Sequence, residues 1–527
     1  MDRDRKLKRA IIIIALLCAV IAAAMIILAV SLLKGTDDEE YDDTPLPQDK
    51  TTLYSALEIP DGGSVTDAIG TALTLDDLKG QPAILLFWSS WCSDCKEFFA
   101  DGYEKMKQAA QESGMRLLLV CREGIHNDNR ASAEKALAQY GITDGTWMDE
   151  DALWYRSTGL GAVPGIAVLN DDGLLVHVTS SMPDAGTVKN IAEYAGGGRN
   201  AQSDQLIKSL MTQPGALPSA FEIKDGALIS GDTYLSETEG LLLQYALLSG
   251  DGELFDNTFS FIKDSMSAND LTYWTMTGDE KGNVNASLDD LRIAGQLALA
   301  AALWTDRAEE LNGYAYNRAA ALYNAAVPDG YLHDFADLST GGTAENVTLC
   351  YQGISAMETL SVLDARWQYA AEKARGLLEE GLISEEFPLY YRYYDVSEKA
   401  YKDDEVQMNE AMVTVLNAAK AGILKESTVS WIEEQLSGDG VFAVYTADGK
   451  PKSGYEYEST ATYALIVQTG IVLGRDEMVR LALSRMESFR CHKDPLAGGY
   501  GTGEDGSYYM FDDCEALIAL TMLETYD

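Results

Sequence analysis

Two cysteines stand two residues apart in LLFWSSWCSDCKEF, residues 85–98. Thiol–disulfide exchange needs one thiolate at a helix N-terminus, where free N–H groups and the macrodipole lower its pKa. It needs a second thiol one turn later to resolve the mixed disulfide. Cys92 and Cys95 have that spacing, after an apolar run and at the start of a helix-like one. A zinc clip would need four ligands, yet the next cysteine is Cys121, the nearest histidine is His126, and no second close pair follows. A purely structural disulfide across two residues is strained and easily reduced. The pair is therefore expected to be redox-active, Cys92 attacking and Cys95 resolving. Asp94 between them either opposes thiolate formation or merely complements the helix dipole.

Acids at helix starts are a second candidate chemistry. Ser236-Glu237-Thr238-Glu239-Gly240 precedes LLLQYALL, and Asn285 to Ala294 precedes an Ala/Leu-rich helix ending at Trp304. Ser236 with Glu239, and Ser287 with Asp290, also read as capping boxes, which explains the acids without catalysis. As a general acid, Glu239 would need its pKa raised by burial or by a neighbouring carboxylate, which Asp290 could supply. Tyr273, Trp274 and the tyrosines of LYYRYYD (389–395) could stack on sugar rings; core packing accounts for each taken singly. Four scattered histidines call for no metal, and no cofactor is implied.

These residues need elements to hold them, and 527 residues are too many for one core. From 51 to 197 strand-like and helix-like runs alternate: AILLFW, a helix from Cys92, MRLLLVC, a helix near 131–140, then GIAVLN and LLVHVT around an Asp-Asp-Gly turn. That is an α/β domain ending in a hairpin. A linker is expected over 198–218. From 219 to 527 apolar residues recur at helical spacing in eleven segments. ETEGLLLQYALLSGDGELF and STATYALIVQTGIVLGRDEM resemble each other as helix, Gly-centred break and second helix, which suggests a closed ring of helix pairs; an open solenoid of helix pairs would give the same pattern.

Residues 1–9 carry five basic side chains, and an apolar run over 10–33 follows. At about 1.5 Å per residue that run can cross a hydrocarbon core of roughly 30 Å. An uncleaved anchor is expected, with Cys18 facing lipid, the basic flank in the cytoplasm and all later residues outside. Residues 34–50 read as an acidic tether. The formal net charge of −43 disfavours nucleic-acid partners.

TLDDLKGQPAILLFWSSWCSDCKEF followed by GAVPGIAVLNDDG resembles the membrane-tethered, TlpA-like thioredoxin-fold proteins. Trp91, Cys92, Cys95, Pro164 and the Asp-Asp-Gly turn fall in the family's order. The resemblance implies a cis-proline at Val163-Pro164 facing the cysteines and shaping the groove for a thiol- or disulfide-bearing protein, with Trp91 beside it. Asp94 stands where the family often has proline.

Leu235 to Trp304 resembles glycoside hydrolase family 8, an (α/α)6 barrel family of mostly β-1,4-glucan endohydrolases acting with inversion. That resemblance implies a general acid at Glu239, from Thr238-Glu239-Gly240, and the family's Trp after a short loop falls at Trp274. The family's Ala-Ser/Thr-Asp-Ala/Gly-Asp signature is matched by Ala286, Ser287 and Asp290, but Leu288 replaces its first acid. Inversion needs a second carboxylate about 6.5–9.5 Å from the first. The family's late Tyr-Asp-Ala motif has its nearest analogue in Asn409-Glu410-Ala411, which makes Glu410 the candidate base.

The expected protein is multidomain: an N-terminal transmembrane helix, an α/β thioredoxin fold and an all-α (α/α)6 barrel. It would combine disulfide exchange with inverting hydrolysis of a β-linked polysaccharide outside the membrane. The alternative, which Leu288 favours, is a helical domain that binds glycan or scaffolds without catalysis. Of the other cysteines, Cys121 reads as core, Cys491 and Cys514 could be bridged, and Cys350 would be left over.

Overall fold

The computed structural model describes residues 52–124, 128–402 and 405–526. Segments 1–9, 10–33 and 34–50, and His126, lie outside the described residues. Among those described, no helix is long and apolar enough to cross a membrane.

One eight-stranded sheet carries the first unit, in the order β1-β8-β7-β4-β5-β6-β2-β3. Its strands are β1 (Ser55–Ala56), β2 (Val65–Thr66), β3 (Ala72–Leu73), β4 (Ala83–Trp88), β5 (Arg116–Arg122), β6 (Trp147–Asp149), β7 (Gly165–Leu169) and β8 (Leu174–Thr179). All six residues of β4 are buried, and the strand runs parallel to β5 and antiparallel to β7. Successive side chains point to opposite faces. Ile84, Leu86 and Trp88 therefore enter one core, with α1 (Ser93–Asp101) and α2 (Tyr103–Glu112), while Ala83, Leu85 and Phe87 enter another with Trp154 and Tyr155. This is why AILLFW is apolar without alternation. Helices α3 (Arg130–Gln139) and α4 (Ala185–Glu193) complete the unit.

Helix α5 (Arg199–Leu210) follows where a bare linker was expected. The second unit then alternates α6 (Ser236–Ser249), α7 (Gly252–Ser265), α8 (Ser287–Leu303), α9 (Ala308–Ala326), α10 (Ile354–Ser361), α11 (Arg366–Glu380), α12 (Met408–Lys420), α13 (Glu426–Ser437), α14 (Thr460–Leu473), α15 (Asp476–Glu487) and α16 (Met510–Glu524). Helices α6, α8, α10, α12, α14 and α16 pack successively and close on α6, a ring of six. The others lie outside it, and α5 packs on α16 as the sixth outer helix, Leu206, Ile207 and Leu210 sharing a core with Leu517 and Ile518.

Composition explains which helices are inside. Residues 460–470 of α14 are buried without interruption, as an all-round apolar helix must be, whereas α15 buries a stripe at Met478, Val479, Ala482, Leu483 and Met486. The resemblance between the two helix pairs is structural too: α6 and α14 both end on left-handed glycines, Gly250 (φ 73°) and Gly474 (φ 65°).

A buried polar junction joins the units. Tyr194, just after α4, donates its hydroxyl to Glu487 at 3.0 Å, Tyr500 donates to the same carboxylate at 2.8 Å, and Arg490 pairs with it at 2.7 Å. Tyr54 donates to the Tyr194 hydroxyl, and the Leu53 N–H donates to Ser484 Oγ at 2.8 Å. Both Glu487 and Arg490 side chains are 0% exposed. Removing one partner of such a pair strands the other charge, at a cost of about 3–5 kcal/mol. Glu487→Ala is therefore expected to lower the urea midpoint by that equivalent and Arg490→Met by a similar amount, read by circular dichroism.

Candidate active sites

Cys92 is the N-cap of α1, and its sulfur accepts the Cys95 N–H at 3.1 Å. The Cys92 thiol also donates to the Val163 carbonyl at 3.4 Å, which places the cis Val163–Pro164 peptide against it. Both thiols are free and buried, Cys95 completely, while Trp91 beside them is 41% exposed and marks the open side. Burial, reinforced by the hydrogen bond to Cys92, pushes the Cys95 thiol pKa up, opposed by Arg122. That arginine, 2% exposed at the end of β5, donates to Ser89 Oγ at 3.2 Å and stacks 4.4 Å from the Tyr155 ring. Asp94 lies exposed in the first turn of α1, where an acid complements the dipole. Cys121 is core, its thiol 3.7 Å from Asp128. Cys491 and Cys514 share a core cluster as separate free thiols, and Cys350 is also free.

The N-termini of the six inner helices meet at one end of the ring. Neither capping box forms there: Leu235 and Ala286 occupy the N-cap positions without side-chain capping bonds. Ser236 Oγ instead donates to Asp289 at 2.6 Å.

Glu239 is not at this mouth. It is fully buried, one carboxyl oxygen accepting the Leu217 N–H at 2.9 Å and the other without a hydrogen-bond partner, and burial pushes its pKa well up. At 3.6 residues per turn, positions two apart lie on nearly opposite helix faces. The carboxylate turned to the mouth is Glu237, half-buried, its pKa pushed up to about 7 by burial and by Asp289. Asp290 is likewise not the neighbour of the mouth carboxylate. It accepts from the Thr272 N–H at 3.0 Å and Asn285 at 2.9 Å and lies 3.5 Å from Arg318 of α9, with a pKa raised to about 6 by burial. Asp289 takes that place, paired with Arg292 at 3.0 Å.

Trp274 is 45% exposed, and its carbonyl accepts the Ser236 N–H at 3.1 Å, one residue from Glu237. Tyr273 lies 5.4 Å from the Lys281 ammonium. Glu410, in the first turn of α12, holds Arg392 through two contacts of 2.7 and 2.9 Å. The helix that bears it stands opposite α6 in the ring order. Sequence reasoning missed a cavity of about 460 Å³ between the starts of α12, α14 and α16, lined by Asn409, Tyr457, Ser459, Tyr509 and Asp512. Tyr457 is 58% and Tyr509 64% exposed, the placement of a stacking surface. The available signal was position: Tyr457 stands three residues and Tyr509 one residue before a strongly apolar inner helix.

Among the carboxyls that burial pushes up are Asp149 and Glu237, to about 7, Asp290, to about 6, and Asp513, to about 8. The unfolded chain ionises these groups near pH 4, the folded chain later, so their contribution is intact in acid and is lost as pH rises through 6–8. His177, lowered to about 4 by burial, acts oppositely, but only below its unfolded value near 6.5. The melting temperature is therefore expected to be several degrees lower at pH 8 than at pH 6.5, by calorimetry.

Comparison with known proteins agrees with this division. Residues 55–194 match the family described as Redoxin. That segment is a redoxin domain of thioredoxin-like fold. The thiol-disulfide oxidoreductase ResA of Bacillus thuringiensis is 26% identical over 132 residues, 24% of this chain and 71% of that one. The Bacillus subtilis protein YdaJ, which carries the name of a lipoprotein, is 25% identical over 321 residues, 56% of this chain and 83% of that one. A structure described as a novel alpha-amylase from Clostridium perfringens is 29% identical and covers 62% of this chain and 97% of that one at a TM-score of 0.57. These last two shares exceed the redoxin domain and must draw on the helical ring. Solved endoglucanases, one of them assigned to family 8, align at TM-scores of 0.43 to 0.45, too distant to carry an argument.

Proposed function

We propose that the chain joins a thiol–disulfide oxidoreductase, acting through Cys92 and Cys95, to a glycoside hydrolase whose general acid is Glu237. The observation that carries the first is the Cys95 N–H on the Cys92 sulfur at 3.1 Å. This donor lies where the charge of a Cys92 thiolate would develop. The Cys92 thiolate attacks a partner disulfide, forming a mixed disulfide and expelling the partner's first sulfur as thiolate. Cys95, on losing its proton, then attacks Cys92, releasing the partner's second sulfur. The partner disulfide gains two electrons and the pair becomes a disulfide. Trp91 and Pro164 wall the groove where the partner strand lies.

The second activity is supported by Glu237, whose pKa of about 7 keeps it protonated in mildly acidic solution. It protonates the glycosidic oxygen while a water, activated by Glu410 from the facing helix, attacks the anomeric carbon with inversion. Trp274 and Tyr273 contact the sugar chain. A membrane segment over 10–33 would hold both units outside the cell, where polysaccharides and protein disulfides meet them.

Reducing-end release by residues 51–527 from starch, β-glucans, xylan and chitosan, beside insulin-disulfide reduction, tests both halves. Release from starch alone would set an α-glucan in place of the β-linked polymer. Binding without release would favour the non-catalytic reading, which Leu288 and the Asp289–Arg292 pair support.

A further inference from the structure

Below the mouth the inner helices enclose a second cavity of about 330 Å³, walled along much of its length by Leu241, Leu291, Val413, Leu416 and Leu465. Inward-facing residues, three or four apart on each helix, become more open toward the helix C-termini. On α8 the stripe passes from half-buried Arg292 and Gln296 to Leu299, 48% exposed, and Leu303, 57% exposed. On α6 it passes from half-buried Gln244 to exposed Leu248, and on α12 from half-buried Asn417 to exposed Lys420. Helix α10 has 8 residues where α8 has 17, and Val362 just beyond it is 86% exposed. The bore therefore widens to an apolar rim at the end opposite Glu237.

The deeper polar groups partner one another. Gln468 donates to Glu515 at 2.7 Å, and Arg292 pairs with Asp289 at 3.0 Å. Lys420 differs: it lines the cavity and makes no hydrogen bond or ion pair among the described residues. The carboxylate that acts on it is Glu515, which lines the same cavity and already accepts from Gln468. An exposed cation at the rim of an apolar bore, with no carboxylate in ion-pair contact among the described residues, is one half of a complementary pair.

We infer that this bore binds a single-chain amphiphile with a carboxylate head, the chain in the leucine-walled cavity and the head on Lys420. One lysine matches one negative charge, and the volume lies at the small end of the range of about 300–1,000 Å³ for ligand pockets, which suits one chain and not two. Lys420 ends α12 and Glu410 opens it, so the head would sit at the end of the ring away from the hydrolase reading, while the cavity also reaches Leu288 and Arg292 near the mouth; the inference does not rest on that reading.

Titration of the full chain with decanoate in a calorimeter tests this. The expected result is one saturable site, weakened at least about tenfold by Lys420→Gln, restored by Lys420→Arg and abolished by Leu299→Asp, with melting curves unchanged. A tenfold loss corresponds to about 1.4 kcal/mol. The uncharged probe decanol is expected to bind at least about tenfold more weakly than decanoate. Absence of saturable heat with decanoate, equal affinity for decanol, or equal affinity in Lys420→Gln would each overturn the inference.

Discussion

Glu237→Gln is expected to lower polysaccharide hydrolysis by about 10²–10⁴-fold, the usual contribution of a placed general acid, whereas Glu239→Gln leaves the rate within a few-fold of wild type. The difference rests on direction. Glu237 turns toward the mouth with Asp289, and Glu239 turns to the Leu217 N–H in the core. Because Glu237 must carry a proton to act, the rate should fall as pH rises through about 7, and this limb should vanish in the glutamine variant. Reducing-end assays across pH on both variants, with folding checked by circular dichroism, decide the matter. Loss of activity in folded Glu239→Gln with Glu237→Gln unaffected would sink the assignment.

Cys92→Ser is expected to abolish insulin-disulfide reduction outright, because no other thiol among the described residues is presented to a partner. Cys95 is 0% exposed with its pKa pushed up by burial, and Cys121 is enclosed in β5. Cys95→Ser should still attack but fail to resolve, so mixed disulfides accumulate and are visible as slower, reductant-sensitive bands in gels. A Cys95→Ser chain that traps no partner while Cys92→Ser keeps wild-type turnover would remove the exchange mechanism. Cys121→Ser should leave turnover unchanged.

Some of this was legible early because it is local. The helices near 239–249, 289–304 and 457–473 were readable because their apolar residues recur at helical spacing, and they form as α6, α8 and α14. AILLFW declared a strand buried on both faces, and the Cys92–Cys95 spacing placed one sulfur at the N-cap and the other a turn later. Segment 346–363 was readable only in part. A short strand, Asn346–Thr348, and a 3-10 turn, Leu349–Tyr351, precede α10 there, because Gln352 and Gly353 leave helical geometry. Helix α5 was passed over because its three buried leucine and isoleucine residues follow a glycine run and are too few to announce themselves.

By itself, then, the sequence determined element types, the order of the two units and the presence of a dithiol pair, since backbone period and residue spacing act over one or two turns. Which of Glu237 and Glu239 faces the mouth, that Asp289 and not Asp290 stands beside it, that Arg490 and Glu487 bind the redoxin domain to the ring, and that Lys420 makes no hydrogen bond or ion pair among the described residues were decided only by tertiary structure. Each depends on groups tens to hundreds of residues apart in the chain, and their meeting is set by how the helices close on one another.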